Sequence, residues 1–221
     1  MSDDRIVRYT LDERIHHWTA GLTYIYCLIT GLAFWSPYLF WLTVLVGGGA
    51  TARFWHPWSG VLFAISVVWL YKLWHKEMST TNADRAWQHS MLSYIENEDE
   101  KLPAIGKYNA GQKQLFWVMV IGGLVLFVSG LGLWYVESLP MWLRHASIAI
   151  HVLAALATIA GFIIHVYMGT ALVRGSFGAI ITGTVAASWA RRHHRLWYEQ
   201  VTRNAPRGNE PGEMEPAHPP R

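Results

Sequence analysis

Four stretches of the chain are free of Asp, Glu, Lys and Arg: residues 15 to 52, 54 to 71, 114 to 136 and 145 to 173. Crossing about 30 Å of hydrocarbon takes roughly 17 to 25 helical residues, so each stretch can hold a membrane span. The first is too long for one helix, but Pro37 and the run Gly47, Gly48, Gly49 divide it. A helix is predicted over residues 15–36. The piece from Tyr38 to Val46 is too short to cross and carries Phe40 and Trp41, so it reads as an interfacial or re-entrant segment. The remaining spans are expected at 54–74, 114–136 and 146–172, separated in the middle by a polar loop, 75–113. The predicted fold class is all-α, an integral membrane four-helix bundle.

Charge placement supports four spans over five. Of the eighteen Lys and Arg residues, only Arg53 and Arg144 fall in the two loops on one side of a four-span arrangement. The other sixteen lie in the N-terminal segment 1–14, between Lys72 and Lys113, and from Arg174 onward. This asymmetry predicts that both termini are cytoplasmic in a bacterial inner membrane. The net charge of +3 follows from the same bias and gives no reason to expect nucleic acid as a partner. Asp3, Asp4, Asp12 and Glu13 precede a full-length first span, unlike a cleavable signal peptide. Residues 176–202 mix Ile180, Ile181, Trp189, Leu196 and Trp197 with a basic cluster and are expected to form a cytoplasmic interfacial helix. The proline-rich tail 203–221 is expected to be disordered.

Within this frame the histidines carry the chemistry. His151 and His165 lie on the last apolar stretch, and their fourteen-residue separation is about 21 Å of helix rise with the two side chains within roughly 40° of each other. An ionisable group inside a bilayer costs about 3 kcal/mol or more, so both need partners. His16 and His17 open the first span at the depth of His165, while His56 opens the second at the depth of His151. Two histidines at each membrane face predict two bis-histidine b-type haems. Spacing does not choose between His16 and His17, and His75 is a rival at the cytoplasmic face. His89, His145, His193, His194 and His218 read as solvated or interfacial residues. Cys27 is the only cysteine, which excludes an internal disulfide, a Cys-ligated iron-sulfur cluster and CxxCH attachment of haem.

The stretches ERIHHW, RFWHPWSG, GKYNAGQK, IAIHVLAA, IIHVYMGTALVRGS and RRHHRLWYE run through almost the whole chain. With them the sequence resembles the gamma-subunit (cytochrome b556) family of membrane-bound respiratory formate dehydrogenases. The resemblance implies one haem held by His17 and His165 on the cytoplasmic side and one by His56 and His151 on the periplasmic side. It also implies a quinone site (menaquinone or ubiquinone) at Asn109 and Gly111, where GKYNAGQK enters the third span, and Gln112 beside them can offer a further donor. The expected role is electron transfer and membrane anchoring. An iron-sulfur beta subunit would pass electrons from a molybdenum- or tungsten-dependent alpha subunit to the haems and on to quinone. The chain itself would hold no formate site. Weighed beside this are the cytochrome b subunit of a nickel-iron hydrogenase or thiosulfate reductase, a haem-free anchor, and a transporter, which the lack of Asp, Glu, Lys and Arg in the spans disfavours.

Overall fold

The computed structural model describes residues 4–96 and 103–204. Strand β1 (Arg5–Val7) leads into helix α1 (Leu11–Trp35). A 3-10 helix, Pro37–Val46, separates α1 from α2 (Gly49–Trp74). Two short helices follow, α3 (Asn82–His89) and α4 (Met91–Ile95). Then come α5 (Ala110–Trp134) and α6 (Met141–Tyr167), the latter running on into a π-helical turn, Met168–Leu172. The last part comprises α7 (Ser176–Thr182), β2 (Thr184–Ala186), α8 (Ala187–His193) and α9 (Arg195–Asn204). Four helices, α1, α2, α5 and α6 with its π turn, are long and apolar enough to cross a membrane, as the hydrophobic pattern predicts.

Local chemistry accounts for where these helices start. Thr10 caps α1, accepting the Glu13 N–H while the Glu13 carboxylate accepts the Thr10 N–H, so the helix begins four residues before the apolar run. Asn109 and Gln112 make the same reciprocal cap at α5, which begins at Ala110 rather than 114. Helix α2 begins five residues before the expected 54, because Gly47 and Gly48 turn the chain with φ of 89° and 94°. His56 and Pro57 therefore lie more than a turn inside α2 and do not open it. The Pro37–Val46 segment crosses nothing, and Tyr38, Phe40, Trp41, Val44 and Leu45 are exposed on it.

Helix α1 packs along α2, α2 on α5, and α5 along α6. The core lies between them, built from Ala20, Tyr24, Phe63, Val67, Leu70, Trp74 and Phe116. Large apolar side chains such as Leu22, Leu124, Leu153 and Ile163 point outward, a distribution suited to lipid. Trp35, Trp41, Trp55, Trp58, Trp134 and Trp142 ring the end opposite the termini, here called the far end. The first and last described residues, 4 and 204, lie with α3 at the other, basic end.

At the basic end the structure departs from an all-helical reading. β1 pairs antiparallel with β2, Ile6 opposite Val185, and the single helix expected over 176–202 is divided. Gly175 and Gly183 have φ of 87° and 84° and interrupt it. The Gly183 carbonyl accepts the N–H groups of Arg8 and Tyr9 at 2.8 and 3.0 Å. Arg8 is buried, donates to the Lys107 carbonyl and sits among the rings of Tyr9, Tyr108, Trp189 and Trp197. His194, expected to be solvated, is buried too, its Nδ1–H donating to the Gly106 carbonyl at 2.8 Å and its Nε2 lying 3.2 Å from Arg8. Burial and the Arg8 charge hold His194 well below the usual histidine pKa. The tail expected from residue 203 onward lies outside the described residues from 205, and His218 with it.

Candidate functional site

Side chains reach across to α6 at three levels, two from α1, which does not pack closely along it, and one from α2. At the middle level the Tyr24 hydroxyl donates to Thr158 Oγ1 at 3.1 Å, and the Tyr24 and Phe162 rings stand 5.1 Å apart. Thr158 is fully buried and lies midway along α6 between His151 and His165. Gly122 of α5 faces it with no room for a side chain.

Toward the basic end the rings of His17 and His165 stand 5.9 Å apart. Toward the far end those of His56 and His151 stand 6.4 Å apart. A metal–imidazole bond runs about 2 Å, so two rings bound to one iron from opposite sides have centroids roughly 6 Å apart. Both pairs fit that requirement. The doublet left open by spacing divides by orientation: His16 stacks on Trp69 of α2 at 4.9 Å and pairs with Asp12 at 3.1 Å, whereas His17 turns toward α6. His75 stacks on Tyr71 at the end of α2 and bonds the Tyr71 carbonyl.

The surroundings of the pairs contain partners that sequence reading missed. Thr30 Oγ1 lies 2.6 Å from His56 Nδ1, and Ser129 Oγ lies 2.9 Å from His151 Nδ1. The next residue in each case, Gly31 or Gly130, faces the Cε1 of the same ring. The only signal in the chain is that Thr-Gly-Leu at 30–32 and Ser-Gly-Leu at 129–131 repeat one pattern on two spans. At the basic-end pair the His17 Nδ1 is buried with no hydrogen-bond partner among the described residues.

Asn109, Gly111 and Gln112 form the N-cap and first turn of α5. Asn109 Oδ1 accepts the Gln112 N–H at 2.8 Å, and Gln112 Oε1 accepts the Asn109 N–H at 3.0 Å. Each side chain carries, besides the oxygen that accepts in the cap, an NH2 group, the donor type that a carbonyl ligand accepts. Gly111 lies against the ring of Trp87, close enough that a Cβ would touch it at 3.4 Å. Gly161 of α6 faces Leu115 and Val118 of α5 and Gly122 of α5 faces Thr158, so the antiparallel register puts Gln112 within one helical turn of the level of His165.

The rest of GKYNAGQK holds this region together. Lys113 donates to Asp84 at 2.7 Å and to the Ser79 carbonyl at 2.9 Å, tying α5 to α3. Burial alone would raise the Asp84 carboxyl, but the Lys113 ammonium and the Thr81 N–H and hydroxyl outweigh it and hold the pKa below the usual carboxylate value. Lys107 bridges Glu13 and Glu77, each at 3.3 Å. Tyr108 is buried against Tyr9 and Trp74. A cavity of about 670 Å³ opens here, lined by Glu77, Lys107, Tyr108, Lys113, Trp197 and Asn204 among others, but not by Asn109, Gly111 or Gln112.

Residues 8–192 match the family model described as prokaryotic cytochrome b561. The chain is 33% identical over 202 residues to the formate dehydrogenase cytochrome b556(fdo) subunit of Escherichia coli (strain K12), covering 90% of this chain and 94% of that one. It is 32% identical over 204 residues to the formate dehydrogenase cytochrome b556 subunit of Haemophilus influenzae, covering 90% and 84%. The nitrate-inducible cytochrome b556(Fdn) subunit of Escherichia coli (strain K12) is 30% identical over 199 residues, covering 89% and 91%.

Proposed function

The chain belongs to the prokaryotic cytochrome b561 family, and from that premise we propose that it is the membrane-bound cytochrome b subunit of a formate dehydrogenase, carrying electrons to quinone. The observation that carries this reading is the presence of two facing histidine pairs, His56/His151 and His17/His165, at opposite ends of one bundle. The names of the relatives supply formate as the electron source.

In this reading His56 and His151 hold one b-type haem at the far end, and His17 and His165 hold a second at the basic end. What bound haems supply is one-electron transfer between the two ends. The chain's own part is to set the depth of each site and to exclude water. Tyr24, Phe63, Thr158 and Phe162 fill the space between them. The basic end faces the cytoplasm, with both termini, and the far end faces the periplasm across a bacterial inner membrane.

An iron-sulfur beta subunit docks at the far end and delivers electrons released from formate by a molybdenum- or tungsten-dependent alpha subunit. At the basic end a quinone, menaquinone or ubiquinone, accepts two electrons and two cytoplasmic protons. The amide groups of Asn109 and Gln112 and the backbone of Gly111 orient its carbonyls, within one helical turn of the level of His165. Electrons moving inward, with the protons taken up on the cytoplasmic side, add to the proton-motive force. Formate is oxidised elsewhere in the complex.

The test is purification of the intact complex, with haem counted by pyridine haemochrome and turnover followed from formate to a quinone analogue. Two haems per chain are expected, falling to one in His151→Ala and in His165→Ala. A single haem in the wild type, or an unchanged count in both variants, would overturn the assignment.

A further inference from the structure

The far-end histidines are held by one device used twice. Thr30 is fully buried, and its hydroxyl donates to the Tyr26 carbonyl one turn back at 2.7 Å. Ser129 is buried, and its hydroxyl donates to the Val125 carbonyl at 2.6 Å. Each hydroxyl has a single hydrogen, and the carbonyl takes it. The oxygen must then face the imidazole with a lone pair, so the ring nitrogen beside it carries the hydrogen: His56 Nδ1–H donates to Thr30 at 2.6 Å, and His151 Nδ1–H to Ser129 at 2.9 Å. That tautomer leaves the Nε2 lone pair of each ring bare. Gly130 leaves room for the second ring, because a Cβ there would stand 3.3 Å from the His151 Cε1, whereas one at Gly31 would make an ordinary contact with the His56 Cε1 at 3.6 Å.

The basic-end pair lacks this arrangement. Among the described residues the buried Nδ1 of His17 has no partner and no hydrogen bond reaches the His165 ring. Accepting the Nδ1 hydrogen makes an imidazole a more basic ligand, and a more basic ligand favours the ferric over the ferrous state of a haem iron.

We propose that Thr30 and Ser129 are positioning residues that lock His56 and His151 in the Nδ1–H tautomer and hold the far-end haem at a lower midpoint potential than the basic-end haem. This rests on the ligand assignment above. It makes one-electron transfer from far end to basic end downhill, with no proton moved and no bond made or broken between the two sites.

The experiment is a dye-mediated redox titration of haem absorbance in the purified complex, with electron paramagnetic resonance of the ferric forms. Variants are Thr30→Val, Ser129→Ala, their combination, and the hydroxyl-retaining Thr30→Ser. His151→Ala identifies which potential belongs to which site. The lower wild-type potential is expected to be the one lost in His151→Ala, to rise in Thr30→Val and Ser129→Ala, and to rise further in the combination. The upper potential and the ferric spectrum of its haem are expected to stay fixed, and Thr30→Ser to titrate like wild type. An unmoved lower potential in a double variant with both haems, or an equal rise of both potentials, would overturn the proposal. Loss of one haem from Thr30→Val but not from Thr30→Ser would support it; loss from both would make Thr30 a packing residue and overturn it. Retention of two haems in His151→Ala would instead refute the ligand assignment, and the proposal with it.

Discussion

Asn109 is both a helix cap and a proposed quinone contact, so a single truncation there confounds the two. Replacing an Asn N-cap by Ala costs about 0.5–2 kcal/mol, whereas Ser caps nearly as well. Asn109→Ser is therefore expected to retain wild-type thermal stability and both haems while losing the amide. Its formate-to-quinone turnover should fall by up to about tenfold, the worth of one hydrogen bond, with formate-driven haem reduction spared. Asn109→Ala should show both defects. Wild-type quinone turnover in Asn109→Ser would remove the residue from the quinone site. The Asn-x-x-Gln spacing of this cap is plain in the chain, and the turn it makes is local. The histidine environments were less accessible. Thr30 and His56 are twenty-six residues apart and Ser129 and His151 twenty-two, and apposition across helices depends on a register that no local pattern encodes.

Helix α5 has no histidine, and its contribution is close approach. Gly122 meets Thr158, Gly130 meets His151 and Gly132 meets Ser147, so one face of the helix lets α6 come near enough to hold its histidines in place. Gly122→Val is expected to destabilise the bundle by about 1–3 kcal/mol through overpacking, read as a lower midpoint in thermal unfolding with haem loss from both sites. A variant with unchanged melting and haem content would show that this approach is not needed. Acid should act on the loops at the basic end. His194 is neutral in the folded protein because its pKa is depressed, so its contribution is full above about pH 6.5, the ordinary histidine value, and declines as pH falls below that. Asp84 is a depressed carboxylate, so its ion pair with Lys113 persists to lower pH and is lost only as pH falls through its folded value. Hydrogen exchange of α8 and α9 is expected to rise between pH 6.5 and 5.5, a rise that His194→Gln should abolish, while α3 stays protected. Equal loosening of α3 in that window would contradict the assignment. Span number was legible because length and charge exclusion are strong signals, but helix starts were not, since caps at Thr10 and Asn109 recruit polar residues that a hydropathy reading leaves outside.

Across the whole molecule, basic residues and chain termini share one end. In a Cys27→Ser background, cysteines placed at positions 80 and 196 should be labelled only from the cytoplasm and one at 138 only from the periplasm. Opposite-side labelling of 80 and 196 would overturn the four-span topology. The closure of this end was hidden from sequence reading because β1 is three residues long and its partner lies at the other extreme of the chain. That closure has a consequence in time. β1 and His17 leave the ribosome before α2, α5 and α6, whereas β2 and His194 leave only after them. The basic-end histidine pair must wait for α6, and the strand pair and the Arg8 cage for all four spans, whereas the His56 ring can find Thr30 as soon as α2 is inserted. The far-end site is thus seeded early and finished when α6 enters, and the basic end is the later seam, its first half kept waiting with an unpaired strand edge while the spans are made.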